Sequence, residues 1–352
     1  VTYPYDEQTQ NWTSTSSYPN TKLKPERTKS WEVGLDARIL NDISLNLTYY
    51  RSNTYNQTFY ADLSLSSGYS NIPIQSGNIM NEGIEMALGY NKQWKDFSFN
   101  TNYTLTWNKN RVKRLADGVY NYATGQSIQM PELSPLTYGH TDARLILRVG
   151  GSMGDVYGQR LLKRDLNGYI LNEEGVGLTM ENKETYLGSI LPKMNMGWSL
   201  GFGYKGVNLG MTFTGRFGGI VISETQSVLD AAGVSKVSAD VRDAGGVQIN
   251  QGKVSAQTYY QAIQGTAAYY TYSATNVRLG ELSLSYTLPK KWFDNKVGMT
   301  VGLVGKNLWM IYCKAPFDPE LTTSAASNFY QGFDAYMLPS TRNFGFNIKF
   351  QF

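Results

Sequence analysis

Segments of about ten residues in which every second side chain is apolar recur along the whole chain. The final segment, from residue 341 to the last residue, shows the pattern most clearly, with large apolar groups at Phe344, Phe346, Ile348, Phe350 and Phe352. Successive side chains of a strand point to opposite faces of a sheet, so this alternation predicts a strand with one apolar face. A soluble sandwich would bury that face, whereas a membrane barrel would turn it toward lipid.

The same alternation predicts a series of earlier strands. Their sequences are SWEVGLDARIL (30–40), SLNLTYY (44–50), GIEMALGY (83–90), FSFNTNYTLTW (97–107), MNMGWSLGFGY (194–204), VNLGMTFTGRF (207–217), LSLSYTL (282–288) and VGMTVGL (297–303). The alternation shifts by one position near Gly280, and such a shift predicts a β-bulge.

The connections between these strands alternate in length, and this distinguishes a membrane barrel from a soluble sandwich. Short links are expected at 41–42, 91–96, 205–206 and 289–296, and long loops at about 54–80, 218–275 and 312–340. Short turns on one side and long loops on the other are typical of an outer-membrane barrel. We therefore favour the membrane barrel over the soluble sandwich.

Neighbouring strands of a meander run in opposite directions. The segment between residues 107 and 193 can therefore contain either no membrane strand or two. We predict two, DARLILRV (142–149) and DVYGQRLLKR (155–164). The chain is then all-β, with about eleven strands of a transmembrane antiparallel barrel. A bacterial barrel formed by one chain has an even number of strands. We therefore expect residues 1–28 to be an extracellular loop, and the missing strands to belong to an upstream segment or a companion chain.

Aromatic side chains on the apolar faces gather near the strand ends. Such rings favour the interface between hydrocarbon and headgroups, so we expect two interfacial rows. On the long-loop side the row consists of Trp31, Tyr49, Trp107 and Trp309, and on the short-turn side of Tyr90, Trp94, Phe97, Tyr204 and Trp292. The opposite faces are mostly Gly, Ser, Asn and Thr, which suit a wide lumen that is either wet or packed against an inserted domain.

Composition agrees with a sheet protein and excludes several functions. The 352 residues include 26 Tyr and 35 Gly, and only 17% are charged. The mean hydropathy is −0.37, and no run of eighteen apolar residues suggests a spanning helix, although barrel strands carry a weaker signal. The net charge of +4 is dispersed, so nucleic acid is not an expected partner.

Candidate chemistry is sparse. Cys313 is the one cysteine and His140 the one histidine, so neither a disulfide nor a Cys- or His-based metal site is expected. His140 lies in a loop-like stretch and is interpreted as a solvated residue. The segment DLNGYILNEEG (165–175) lacks the EF-hand pattern and predicts a hairpin turn at Asn167-Gly168. We predict no catalytic residue, metal or cofactor, and an enzyme is the least favoured class.

Several stretches together resemble one family, in order over almost the whole chain. They are LKPERTKSWEVGLD (23–36), SGYSNIPIQSGNIMNEGIEM (67–86), GRFGG (215–219), SATNVRLGELSLSYTLPKKW (273–292), VGLVGKNLWMIY (301–312), DPEL (318–321) and LPSTRNFGFNIKFQF (338–352). The sequence resembles the C-terminal part of SusC-type TonB-dependent outer-membrane transporters.

This resemblance implies a multi-pass protein of the cell outer membrane. Its barrel would have about 22 strands and enclose a plug, and this chain would supply about half of it. The resemblance also implies a SusD-type surface lipoprotein as partner and import of large nutrients, glycan oligosaccharides or peptides, driven through TonB. The plug and the TonB-contacting box lie upstream in the family, so energy coupling is assigned to no residue here.

The resemblance also gives the final strand a role in assembly, because the insertion machinery of such barrels reads a last strand that ends in an aromatic residue. The familiar polar-x-Gly-x-x-apolar-x-aromatic spacing fits Asn343, Gly345, Ile348 and Phe350. Phe344, Phe346 and Phe352 complete the apolar face, and either Phe350 or Phe352 is the terminal anchor.

Two other functions remain open from the sequence. One is a structural or adhesive surface barrel that transports nothing, which an upstream plug with a TonB box would exclude. The other is a soluble carbohydrate-binding β-protein, which would be extracted without detergent. The long loops, rich in Asp, Asn, Ser, Tyr and Gly, identify no substrate-binding residue.

Overall fold

The computed structural model describes residues 5–6, 11–12, 17, 23–62, 69, 71–75, 77–115, 119–121, 126–128, 132–174, 177–294, 296–321, 323 and 328–352. Within this part of the chain, the largest element is a nine-stranded antiparallel sheet. Its strands are β1 Arg27–Ile39, β2 Ile43–Tyr55, β3 Asn78–Trp94, β4 Phe97–Arg114, β5 Met194–Tyr204, β6 Val207–Phe217, β7 Asn276–Leu288, β8 Gly298–Cys313 and β9 Asn343–Gln351. Each strand pairs with the next along the chain, so the sheet is an up-and-down meander.

The alternation of short turns and long loops is confirmed. At the β5–β6 turn, Lys205 and Gly206 both have positive φ, 46° and 89°, the backbone twist that suits a two-residue hairpin. The turns after β1, β3 and β7 lie on this same side of the sheet. The opposite side carries the long connections after β2, β4, β6 and β8, and most of the non-barrel structure is built from them.

The bulge predicted near Gly280 is confirmed. Thr212 of β6 pairs with Glu281, but the next residue, Phe213, pairs with Leu279, so Gly280 is the extra residue. The same position is skipped in the pairing of β7 with β8. The bulge restores Leu279 to the apolar face, which explains why the sequence changes its parity there.

The long connections fold into further sheets and helices. A four-stranded sheet contains Glu132–Thr137, Arg144–Arg148, Asp155–Leu162 and Met180–Ser189. A three-stranded sheet contains Ile220–Ser223, Thr271–Ser273 and Phe333–Asp334. Short strand pairs join Tyr5–Asp6 to Asn11–Trp12, Thr58–Asp62 to Asn71–Gln75, Val119–Asn121 to Gln126–Ile128, Asn172–Glu173 to Gly177–Leu178, and Val247–Ile249 to Gly252–Val254.

The two extra membrane strands predicted from the sequence are wrong. Both segments do form strands, but these are the second and third strands of the four-stranded sheet in the β4–β5 connection. Leu145, Ile146 and Leu147 are consecutive and all buried, so both faces of that strand are covered by protein and neither faces lipid. The described chain therefore supplies nine barrel strands instead of about eleven. Removing a pair leaves the direction of every other strand unchanged.

Three α-helices lie in the β6–β7 connection, and the sequence analysis did not predict them. They are α1 Glu224–Ala231, α2 Lys236–Asp243 and α3 Ala256–Ile263. Each begins after a serine whose hydroxyl accepts a bond from a backbone N–H of the first turn, namely Ser223, Ser235 and Ser255. Such N-caps satisfy donors that have no partner within the helix. No helix in the described ranges has the length and apolarity to cross a membrane.

The hydrophobic core of the molecule lies among the long connections. Ile79 and Val112, close to the long-loop ends of β3 and β4, join a cluster that includes Tyr138, Leu145 and Phe333. A second cluster centres on α3, through Tyr260 and Ile263. The long loops therefore form a packed unit, termed the loop core, and two wall strands extend into it. The predicted turn at Asn167-Gly168 is also confirmed, because Asp165 N–H bonds to Tyr169 C=O at 2.9 Å.

Candidate transport wall and loop anchor

The apolar side chains of the nine strands form one continuous face. Residues directly opposite one another on paired strands share a face, and from β4 to β9 one row runs through Phe99, Phe202, Leu209, Leu284, Leu303 and Phe346. A second row crosses β1 to β5 through Leu35, Leu47, Met86, Leu105 and Met196. Phe344 and Phe346 are 79% and 77% exposed, so the described chain packs no second sheet against them. This contradicts the soluble sandwich.

The aromatic residues singled out in the sequence lie at the two ends of this face. On the long-loop side, the rings of Trp31 and Tyr49 are 5.3 Å apart, and Trp107 pairs with the first residue of β5. Trp309 is 60% exposed near the end of β8. On the short-turn side, Trp94 stacks on Phe97 with centroids 5.6 Å apart. Their role at the lipid interface remains a prediction.

The remaining short-turn aromatics lie at the same level. Tyr90 pairs with the first residue of β2, and Tyr204 ends β5. Trp292 lies in the short 3₁₀ helix between β7 and β8 and is 61% exposed.

The opposite face is polar and contains many glycines. At Gly83 on β3, a Cβ atom would lie 2.6 Å from the hydroxyl of Tyr50, so glycine is required for that ring to lie across the wall. The Tyr50 hydroxyl then donates to Asn108 Oδ1 at 2.9 Å. Other glycines on this face, such as Gly201 beside Asn100 and Gly210 beside Ser283, likewise let polar neighbours lie flat against the sheet.

A buried ion pair anchors the last long loop to the wall. Arg278, on β7 near the long-loop end, donates two hydrogen bonds to the carboxylate of Asp318, at 2.9 and 2.8 Å. Its guanidinium also lies 3.2 Å from Glu320, and the Asn276 amide donates to Glu320 at 3.1 Å. The Arg278 and Asp318 side chains are only 11% and 8% exposed. We term this cluster the loop anchor (Asn276, Arg278, Asp318 and Glu320).

The loop anchor joins two of the stretches that carry the family resemblance, SATNVRLGEL and DPEL. Burial alone would disfavour the charged form of Asp318, but hydrogen bonds from Arg278 and from the Glu320 N–H hold its pKa below the usual range. Asp318 is therefore ionised at neutral pH. A bidentate arginine–carboxylate pair is the strong kind of charge-assisted hydrogen bond, and it fixes the orientation of the loop as well as its position.

A cavity of about 710 Å³ opens beside the long-loop end of β4, with Lys109, Arg111, Asp155 and Tyr186 among its lining residues. Burial raises the pKa of Asp155. Burial and the nearby Asp155 charge raise the pKa of Tyr186 to about 12. The Tyr186 hydroxyl donates a hydrogen bond to Asp155 at 3.2 Å. Ser152 N–H donates to its other oxygen at 2.8 Å. This carboxylate is thus already bonded within its own loops.

The described residues hold no group of three or more His, Cys, Asp or Glu side chains that could bind a metal ion. His140 is exposed in the loop core, as expected from the sequence. Cys313 is partly buried at the end of β8, where its thiol lies 3.4 Å from the Ala315 carbonyl.

Residues 2–308 match the family described as TonB-dependent receptor-like β-barrels. The chain belongs to this family. The family consists of non-enzymatic transporters of the outer membrane, so membership confirms the expected location, the all-β barrel class and the expectation that the protein is not an enzyme.

Relatives in the TonB-dependent receptor family align with nearly the whole chain. TonB-dependent receptor P3 of Formosa agariphila is 25% identical over 366 residues, covering 95% of this chain and 35% of that receptor. TonB-dependent receptor P26 of the same organism is 24% identical over 373 residues, covering 94% of this chain and 35% of its own length. The chain therefore spans about a third of the length of these curated relatives.

Solved structures of the RagAB peptide importer have the same fold. The closed-closed state superposes with a TM-score of 0.66 at 17% identity, covering 99% of this chain and 38% of the other. The open-open state gives a TM-score of 0.66 at 19% identity, covering 95% and 35%. The resemblance to TonB-dependent outer-membrane transporters is confirmed by the family match, and the RagAB structures share the fold of this chain.

The loop anchor generates a first prediction. Arg278→Met leaves the buried Asp318 carboxylate without its cation, and breaking a buried pair in this way costs about 3–5 kcal/mol. We expect hydrogen exchange at residues 318–321 to accelerate strongly in the full-length protein. Replacing both partners, Arg278→Met with Asp318→Leu, should recover much of the protection at Leu321, whose N–H bonds to the Asp318 backbone carbonyl, but not at Glu320, whose N–H loses its carboxylate acceptor.

Arg242→Met is the matched control, because its pair with Asp243 is exposed and such pairs contribute at most about 1 kcal/mol. Unchanged exchange at residues 318–321 in the Arg278→Met protein would contradict the anchoring role.

The two faces of β7 generate a second prediction. Leu284 lies on the apolar face between Leu209 and Leu303, whereas Ser285 lies on the polar face beside Gly302. Arginine on the lipid face near the bilayer midplane destabilises a barrel by about 2–4 kcal/mol. Leu284→Arg should therefore reduce the folded, heat-modifiable fraction in lipid, and Ser285→Arg should leave it nearly unchanged. Equal effects of the two substitutions would refute the assignment of the faces.

Proposed function

We propose that this chain forms part of the wall of a SusC-type importer that takes large nutrients across the outer membrane. The observation that carries the proposal is the pairing of a continuous apolar face with a polar, glycine-rich face along all nine strands. Such a wall lines a wide polar passage and is solvated by lipid outside. The family's transport activity and the likeness to the RagAB peptide importer support it.

The cargo that we propose is a glycan oligosaccharide or a peptide. Family relatives do not define it, but a passage lined by small polar residues suits a hydrated cargo larger than a single sugar or amino acid. Energy would come through TonB, which in this proposal contacts a part of the protein upstream of this chain. That upstream part would also supply the plug and the strands that pair with the free edges of β1 and β9.

A SusD-type surface lipoprotein is the partner proposed for the long loops. We propose that the loop core is the docking surface for this lipoprotein. The strands and helices of the loop core are already packed around buried side chains such as Tyr138 and Tyr260. The solved RagAB assemblies, described as a peptide importer, support a two-component arrangement by analogy.

A surface barrel that transports nothing is the alternative function. It shares the wall and the lipid-facing aromatic rings, and it differs in needing neither energy coupling nor a SusD-type partner. Transport therefore has to be tested by uptake.

We predict that cells carrying the full-length protein grow on a peptide or oligosaccharide that cells lacking it cannot use. Growth should also stop when TonB is removed, because import against a gradient needs the proton-motive force. A panel of defined peptides and glycans as sole nutrient gives the measurement. Growth that is independent of both the protein and TonB, on every cargo, would favour the surface barrel.

The proposed assembly signal in β9 generates a separate prediction. Phe350 pairs with Met299, whereas Phe352 lies beyond the last pair of the β8–β9 ladder and is 98% exposed. We therefore propose Phe350 as the terminal anchor of the motif that includes Asn343 and Gly345. Deleting Gln351 and Phe352 should leave membrane insertion intact, and Phe350→Ala in the shortened protein should abolish it. The measurement is the heat-modifiable band of the folded barrel on a gel. Loss of this band after the two-residue deletion alone would identify Phe352 as the terminal anchor instead.

A further inference from the structure

The loop core contains a second cavity, of about 340 Å³, which the proposed wall does not use. Residues from four parts of the chain line it, among them His140, Glu224, Gln261, Gln264 and Tyr336. His140 belongs to the β4–β5 connection, Glu224 begins α1, the two glutamines lie at the end of α3, and Tyr336 precedes β9. The cavity therefore exists only when three long connections are packed together.

The carboxylate of Glu224 is the unusual feature of this cavity. The residue is only 4% exposed. The Tyr336 hydroxyl donates to one of its oxygens at 3.2 Å, and the His140 backbone N–H approaches the other at 3.5 Å. None of the ion pairs in the described part of the chain includes Glu224. A buried carboxylate is normally paired with a cation, and this one faces a cavity.

The surrounding backbone is arranged around this carboxylate. A Cβ atom on Gly139, whose φ is +48°, would collide with Glu224 Oε2, so only glycine leaves room for it. Tyr336 also has a positive φ, 56°, and its backbone N–H donates to Thr225 Oγ1 at 2.7 Å. The hydroxyl of Ser227 accepts a bond from Gly265 N–H at 2.9 Å, which holds α1 against the end of α3.

The position of Glu224 at the start of α1 accounts for part of its burial, because the positive end of a helix dipole favours a carboxylate. That effect leaves the two oxygens with long hydrogen bonds of 3.2 and 3.5 Å, and it does not explain why this carboxylate lines a cavity instead of lying in packed protein. A bound cation would complete their coordination.

We propose that this cavity binds a primary ammonium group of the cargo, such as the N-terminus of a peptide, through Glu224. An ammonium carries three donors, and the cavity lining offers acceptors in the Glu224 carboxylate and in the side-chain amides of Gln261 and Gln264. Tyr336, which also lines the cavity, is 59% exposed. A divalent metal ion fits less well, since Ca²⁺ requires six to eight oxygen ligands and Glu224 is the one carboxylate in the lining.

The inference deepens the proposed import function and rests on it, because it selects peptides over neutral glycans as cargo. The experiment measures binding directly, by calorimetry on the detergent-purified full-length protein. The probes are tetraglycine amide with a free N-terminus, its N-acetylated form, and a neutral glucose tetrasaccharide. The variants are Glu224→Gln, Glu224→Asp and, as a control, Asp240→Asn, which removes an exposed carboxylate from the neighbouring α2.

We expect Glu224→Gln to weaken binding of the free-amine peptide at least tenfold, and acetylation of the peptide to weaken binding to the unmodified protein equally. The two changes should not add, because each removes the same contact. Glu224→Asp should recover part of the affinity, since it keeps the charge, and Asp240→Asn should change nothing.

Additive losses, or equal losses for the glucose tetrasaccharide, would overturn the ammonium site. An unchanged affinity of the Glu224→Gln protein would do the same, and TonB-dependent growth on another cargo would still stand in that case. Conversely, a confirmed ammonium site in a protein that supports no TonB-dependent growth would refute import alone.

Discussion

The need to satisfy backbone hydrogen bonds within the membrane determines the architecture of this wall. Hydrocarbon offers no partner to a peptide N–H or C=O, so every strand in the membrane must bond fully to its neighbours. The seven inner strands of the described sheet meet this demand by pairing on both sides in sequence order, with continuous ladders such as β1–β2 from Arg27 to Ile39, and β1 and β9 each keep one free edge. Once the ladder is fixed, alternation places one side chain in two against lipid. At the bulge, Gly280 is one extra residue in β7, and the apolar pattern of the sequence shifts by one position there. The side chains on both sides of the bulge therefore keep to the same apolar face.

The wall could be predicted from the sequence because its signal is local. Each strand carries its own alternation, and each short turn lies between two such segments. The β4–β5 connection was predicted wrongly because direction alone allowed a pair of strands there. Three successive buried residues, Leu145, Ile146 and Leu147, are the signal of a strand covered on both faces, and that signal was available. Serines at positions 223, 235 and 255 similarly marked the starts of the helices.

The loop anchor and the Glu224 cavity were not predictable in the same way. Arg278 and Asp318 are forty positions apart, and Glu224 and Tyr336 are separated by 112. Neither pair has a spacing that a sheet or helix period would reveal. The family resemblance included both NVRLGEL and DPEL, but resemblance does not state that the two stretches touch. Contacts of this kind depend on how several loops pack together, and a single sequence contains no measure of that.

The length of β4 has a mechanical consequence. Its 18 residues span about 60 Å, and at a tilt of about 45° they rise well above an apolar band about 25 Å tall. Beyond that band, Val112 exchanges hydrogen bonds of 2.8 Å with Gly150 and Gly151 and is itself fully buried. The end of β4 is thus fixed to the loop core. Lifting the loop core away from the end of β4 would break these hydrogen bonds. An opening movement therefore has to bend the chain at another position.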